Sequence, residues 1–261
     1  MMLYVHLFHS SENAGLCSWW LQYGSVPLFL KLTRCATPVP MFLIVSGYGF
    51  MKALLDGRKS GKTHLQRALN LYIPYWVVSV FMCMTALLAV PVAGGCSLDL
   101  GVKTLVYNAM GVETSYNPYC WFVLPYVLLA VFSRPLCLFV KHNKAVTVVA
   151  AGLVCHISSY AALDCWASFL SANPLPMLVA NLIYLMFPFL LGTLFAKYSW
   201  KAPRWFGNAW IGRHESLFFL VCLLLLVFAK LHFPGTVNPL FAIVFVFFFV
   251  RIPPPLPFVR C

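Results

Sequence analysis

Negative charge is what this sequence lacks most: six Asp and Glu stand against 18 Lys and Arg in 261 residues, and charged residues of either sign make up only 9%. Soluble domains carry roughly 25% charged residues, so this chain has too few to cover a water-facing surface. No acid lies centrally in any long apolar run. That argues against an ion-coupled transporter or flippase, whose sites tend to place carboxylates or broken paired helices near the bilayer midplane. The ten cysteines include no C-x-x-C pair and no zinc spacing, so no metal site is expected. Regular alternation of polar and apolar residues is missing too, and with it the signature of an outer-membrane barrel.

What the chain does have is long apolar runs, with 62% hydrophobic residues overall. A nearly uncharged run of about 18 residues is long enough to cross the hydrocarbon core as a helix. Such runs extend from about Pro38 to Leu55, Leu69 to Val90, Cys120 to Val140, Ala145 to Leu163 and Leu175 to Ala196, with shorter ones from Leu217 to His232 and Asn238 to Val250. A half-span ending near His9 precedes them. The expected fold is all-α, a polytopic transmembrane helical bundle with about eight spans present, forming one domain over residues 1–261.

Charge placement fixes the expected orientation, because cytoplasmic loops collect Lys and Arg. If the first helix runs outward, the outer segments hold only Lys31, Arg34, Lys103 and Lys230 of the 18 basic residues. The net charge of +12 then belongs to cytoplasmic loops, and nucleic acid is not expected as a partner. Met1 is expected to stand in mid-helix, with no charged leader before it, and a secretory signal peptide is not expected at the start. Arg251-Ile252-Pro253-Pro254-Pro255-Leu256-Pro257 breaks the last run. The expectation is a chain lacking the start of the first helix and the final helices.

Against this apolar background a few polar residues stand out. His6 lies in the opening run Tyr4-Val5-His6-Leu7-Phe8, and an ionisable group at membrane depth is a functional candidate by default. Ser46-Gly47-Tyr48 interrupts the next span; a small-residue packing seam is favoured there over a ligand contact. The loop Asp56–Arg67 contains Gly61-Lys62-Thr63 but is no P-loop, because Gly57 and Gly61 enclose three residues where the motif needs four. Its basic residues suit either an anionic cofactor or lipid headgroups. Arg67 abuts the next span and is placed to turn inward. For His156, inside a later span, interhelical hydrogen bonding is favoured over catalysis. The outer segment from Ala93 to Tyr119 offers Tyr107, Asn108, Glu113, Tyr116 and Asn117, which suit a carbohydrate acceptor and an ordinary loop equally.

Four features in order give the chain a resemblance to the acyltransferase-3 family of integral-membrane acyltransferases. They are His6 in its opening run, Val39-Pro40-Met41-Phe42-Leu43-Ile44-Val45-Ser46-Gly47-Tyr48, Arg67 followed by Ile73-Pro74-Tyr75-Trp76, and Asn117-Pro118-Tyr119-Cys120-Trp121-Phe122 entering a span. The similarity covers essentially the whole chain. It implies about ten helices in a complete member and an essential first-helix histidine, which His6 matches better than His9. It also implies acyl-CoA, such as acetyl-CoA, as the usual donor substrate at the inner face. The acceptor it implies is a hydroxyl of a cell-surface glycan or a lipid-linked sugar. The chain departs from the family in two ways: a basic residue ten positions before the histidine would precede Met1, and a second histidine would follow Cys261.

Residue chemistry fits that reading. A sugar hydroxyl needs a base to become a nucleophile, and imidazole is the usual one. His6 is the expected base, Arg67 the clamp on CoA phosphates, and Ser46, Gly47, Tyr48, Tyr75 and Trp121 the pocket. No permanently bound cofactor is expected; the partners are acyl-CoA, the carbohydrate or lipid-linked acceptor and membrane lipids. The expected location is the bacterial cytoplasmic membrane, as a multi-pass protein. The alternatives are a non-catalytic transporter or flippase of a lipid or glycan, or an inactive truncated remnant.

Overall fold

The computed structural model describes residues 22–23, 26–27, 38–57, 61–93, 101–117 and 120–198, with isolated helical positions between 217 and 243. His6 with its half-span, and most of the two short late runs, lie outside the described residues. Two compact units divide the chain, Ser46–Lys197 and the residues before and after it. In the second of these, Gln22–Tyr23 (β1) and Val26–Pro27 (β2) form a two-residue antiparallel ladder that pairs Gln22 with Pro27 and Tyr23 with Val26. Every other described element is a helix.

Helix α1, Pro38–Leu55, coincides with the first complete apolar run. α2, Gly61–Ala93, begins eight residues before the expected span, so Arg67 lies on the helix rather than in a loop before it. The short α3, Val102–Met110, follows. Residues 120–140, expected as one span, form two helices, α4 at Val123–Val131 and α5 at Ser133–His142, bent by 60°. The cause is local. Pro135 has no N–H to give the carbonyl of Val131, and the buried Ser133 hydroxyl instead donates to the Ala130 carbonyl at 2.6 Å.

The remaining helices are α6 at Ala145–Cys165, α7 at Ala167–Ala172 and α8 at Pro174–Lys197. Among the described residues, α6 and α8 are each long and apolar enough to cross a membrane, and the bent α4–α5 pair is a third candidate if it counts as one span. Val39–Leu55 and Leu69–Met84 are shorter apolar helical stretches. All residues from Phe187 to Leu194 on α8 are buried, as expected for a helix that is apolar on every side. A core cluster of Val140, Val148, Leu190 and Leu194 joins α5, α6 and α8. Beside it, the Lys197 ammonium donates to the carbonyls of Val140 and Asn143 at 2.8 and 2.6 Å, meeting acceptors that the end of α5 leaves open.

Candidate functional site

The polar chemistry of Ser46–Lys197 gathers in three places. The first is the corner between α2 and α3. A helix ends with carbonyls that have no partner of their own, and α3 ends on Asn108, Ala109 and Met110. The Asn108 carbonyl accepts from the Gly111 backbone N–H at 3.0 Å, and three aromatic residues from α2 donate to all three carbonyls. Tyr75 donates its hydroxyl to the Asn108 carbonyl, Trp76 its indole N–H to the Ala109 carbonyl at 2.8 Å, and Tyr72 its hydroxyl to the Met110 carbonyl at 2.8 Å. Gly111 then reverses the chain at φ +75°, a conformation that glycine adopts without strain. A Cβ there would also enter a left-handed conformation costly for other residues.

Asn108 holds the rest of this corner. Its side-chain amide donates to the Thr104 carbonyl and to Ser115 Oγ, both at 2.9 Å, and its side-chain oxygen accepts from the Tyr116 backbone N–H at 3.0 Å. Asn117 donates to Cys120 Sγ at 3.1 Å. Trp121, half-buried at the entry to α4, packs edge-on against Phe122, with ring centroids 6.4 Å apart. The segment read as acceptor surface or loop therefore contains a helix, and its two asparagines are buried and bonded within the protein.

The second place is where α1 meets α8. Gly47 is buried with its Cα against the α8 backbone: a Cβ there would collide with the Phe189 carbonyl and press on the Thr193 N–H. One turn on, Phe50 packs on Phe189 with ring centroids 5.8 Å apart. Successive residues on a helix point about 100° apart, so the neighbours of Gly47 face elsewhere. Ser46 is half-buried, and Tyr48 is 44% exposed.

The third is the antiparallel seam of α6 on α8. Val148, Gly152, His156 and Ser159 share one buried face of α6. Gly152 leaves room for the Phe187 ring, which a Cβ would meet at 2.7 Å. Pro188 interrupts α8 and, having no N–H, leaves the carbonyl of Tyr184 without its helical donor. His156 replaces that donor: its Nδ1 lies 3.0 Å from the Tyr184 carbonyl oxygen, and its ring stacks on Tyr184 at a centroid distance of 4.5 Å. A carbonyl only accepts, so Nδ1 carries the proton. Nε2 is buried without a partner, on a residue that is 2% exposed. One turn along, Ser159 donates its hydroxyl to the Ala180 carbonyl.

The expected site residues thus fall into separate groups. Tyr75 and Trp121 belong to the corner where α2 meets α3 and the start of α4, and Ser46, Gly47 and Tyr48 to α1. Arg67 lies on α2 about 12 Å along the helix from Tyr75, at 1.5 Å per residue, and its side chain is outside the described residues. Asn108, Tyr72 and Trp76, which organise the corner, were not singled out as a unit by the sequence. The available signal was three aromatic residues within five positions, opposite a short helix that ends at a glycine. Among the described residues no group of three His, Cys, Asp or Glu side chains is placed to hold a metal.

Comparison with known proteins bears on the whole chain. No curated protein and no solved structure matches it. A family model described as an acyltransferase domain, that of the acyltransferase-3 family, matches residues 1–258. Nearly the full length is covered, including His6, the Gly47 stretch, Arg67 and the Tyr75 to Trp121 region that carried the resemblance. The chain belongs to the acyltransferase-3 family and is an acyltransferase of the membrane-embedded, O-acyltransferase-like kind.

Proposed function

We propose that this acyltransferase is a multi-pass bundle of about eight spans in a bacterial cytoplasmic membrane. It moves an acetyl or other acyl group from acyl-CoA to a hydroxyl of a cell-surface glycan or lipid-linked sugar. The family match over residues 1–258 carries the reading. The basic stretch from Arg58 to Arg67 supports an anionic donor on the cytoplasmic side, since guanidinium and ammonium groups attract phosphate.

In the proposed reaction His6 takes the proton from the acceptor hydroxyl as its oxygen attacks the thioester carbonyl. The tetrahedral intermediate collapses with cleavage of the C–S bond, and the imidazolium returns the proton to the departing thiolate. Arg67 holds the phosphates of CoA by its planar fork. Ser46 and Tyr48 on α1, and Tyr75 and Trp121 near the α2–α3 corner, contribute to the walls of the site, while Gly47 seats α1 on α8.

The test uses membranes bearing the chain, acetyl-labelled acetyl-CoA and cell glycans, with His6→Ala beside the parent. Label reaching the glycan only in the parent supports the mechanism. Equal label from the variant removes His6 from it, and Arg67→Lys with unchanged apparent affinity for acyl-CoA removes the donor clamp.

A further inference from the structure

Asn108 is one of the few buried polar side chains among the described residues, and both protons and the oxygen of its amide are bonded. The protons go to the Thr104 carbonyl and to Ser115 Oγ, and the oxygen accepts from the Tyr116 backbone N–H. An aspartate of the same shape has no proton for Thr104 or Ser115. The hold of α2 on α3 does not use this side chain, because Tyr72, Tyr75 and Trp76 all reach backbone carbonyls. What the amide adds is a tie between α3 and the segment after it, at Ser115 and Tyr116.

That segment leads to Trp121. Asn117, 3% exposed, holds Cys120 twice: its carbonyl accepts from the Cys120 backbone N–H at 3.0 Å, and its amide donates to Cys120 Sγ at 3.1 Å. Trp121 is the next residue, and the buried residues of α4 begin only at Val123, so the placing of the indole depends on what precedes it. A series of bonds thus runs from Tyr75 on α2 to the Asn108 carbonyl, from the Asn108 amide to Tyr116, and from Asn117 to the residue before Trp121. Arg67 stands on α2 itself, at the other end of the series.

We propose that Asn108 is a positioning residue for acyl transfer: its amide holds the Tyr116–Asn117 backbone on α3 and so sets the Trp121 ring relative to α2 and Arg67. The part in turnover rests on the acyltransfer reading above, which puts Trp121 and Arg67 at the reaction; the link from Asn108 to Trp121 does not. A misplacement of about 1 Å caused by a change away from the chemistry can slow a reaction by about 100-fold. Arg67 lies on the α2 side of the Asn108 amide, so loss of the amide lowers kcat and leaves the hold on acyl-CoA in place.

The test is Asn108→Asp in the full chain, purified in nanodiscs and assayed with acetyl-labelled acetyl-CoA and cell glycans. The same protein carries 5-fluorotryptophan, with the Trp121 resonance identified by Trp121→Phe and recorded without donor. Per mole of folded protein, kcat is expected to fall roughly tenfold or more while KM for acetyl-CoA stays within about twofold. The Trp121 resonance shifts or splits. Ser115→Ala, which removes one partner of the amide, gives the same pattern at about threefold and decides the matter if Asn108→Asp does not fold. Asn173→Ala, which removes a comparable amide bond to the Phe169 carbonyl at 2.9 Å, leaves kcat and the resonance unchanged. Unchanged kcat in the Asn108 and Ser115 variants, an equal fall in Asn173→Ala, a fall in kcat with the Trp121 resonance unmoved, or a rise in KM alone overturns the proposal. A parent chain that transfers no acetyl group sinks the acyltransfer reading and the part in turnover with it, while the fluorine signal still decides the link to Trp121: a resonance unmoved in Asn108→Asp overturns that link as well.

Discussion

The α6–α8 seam and the α2–α3 corner both join two helices through side-chain donors and backbone carbonyls, with opposite results. At the seam the donors are short, His156 and Ser159, and Gly152 opens a gap for the Phe187 ring, so the two helices close on each other. At the corner the donors are Tyr72, Tyr75 and Trp76, whose rings span the distance to α3 and leave an open groove beside them. Donor length therefore decides whether a polar link between helices produces packing or space. In a bilayer, where lipid tails compete equally for apolar side chains, such links and small residues define where helices meet.

The comparison breaks most severely where there is no room at all. Gly47→Leu forces a side chain into the α8 backbone at Phe189, and the expected cost is at least about 3 kcal/mol. In detergent extracts the variant should lose most of its monodisperse protein, whereas Tyr48→Leu, one residue on and exposed, should not.

The next effect sharpens the account of the seam. His156→Phe removes the bond from Nδ1 to the Tyr184 carbonyl and should cost about 1–2 kcal/mol in reversible unfolding in mixed micelles. Pro188→Ala returns a backbone N–H to that carbonyl. In the Pro188→Ala background the cost of His156→Phe should therefore shrink by about 0.5–1 kcal/mol. Strictly additive costs would show that His156 does not compensate for the proline.

At the corner, Tyr75→Phe keeps the ring and removes one donor, so about 1 kcal/mol is expected. Proteolysis within residues 101–117 should accelerate while α6 and α8 stay protected; a uniform loss of protection would mean that the two regions unfold together. The smallest effect provides the baseline. Lys52 and Asp56 form an exposed pair one turn apart at 3.4 Å, and Lys52→Ala should change stability by no more than about 0.5 kcal/mol.

The sequence revealed elements to the extent that their cause was the length of an apolar run. α1 has the expected bounds, and α6 and α8 differ from expectation by at most two residues at either end, because hydrocarbon thickness sets how long such a run must be. It did not reveal the break between α4 and α5, since Pro135 in an apolar run is compatible with a continuous kinked helix as well as with a 60° bend. Gly47 was readable as a packing residue from its size, but its partner on α8 was not, because contacts between helices 140 residues apart leave no local trace. His156 was readable as a hydrogen-bonding group. Its pairing with the proline-freed carbonyl of Tyr184 required knowing that the two helices run antiparallel in that register.

Lys197 joins the final turn of α8 to the last carbonyls of α5 through two short bonds at a single end. A joint of that kind works as a clasp on a folded strap: it fastens the far end of the bent α4–α5 pair to the end of α8, while α4, on the other side of the Phe132 bend, keeps its own packing against α8.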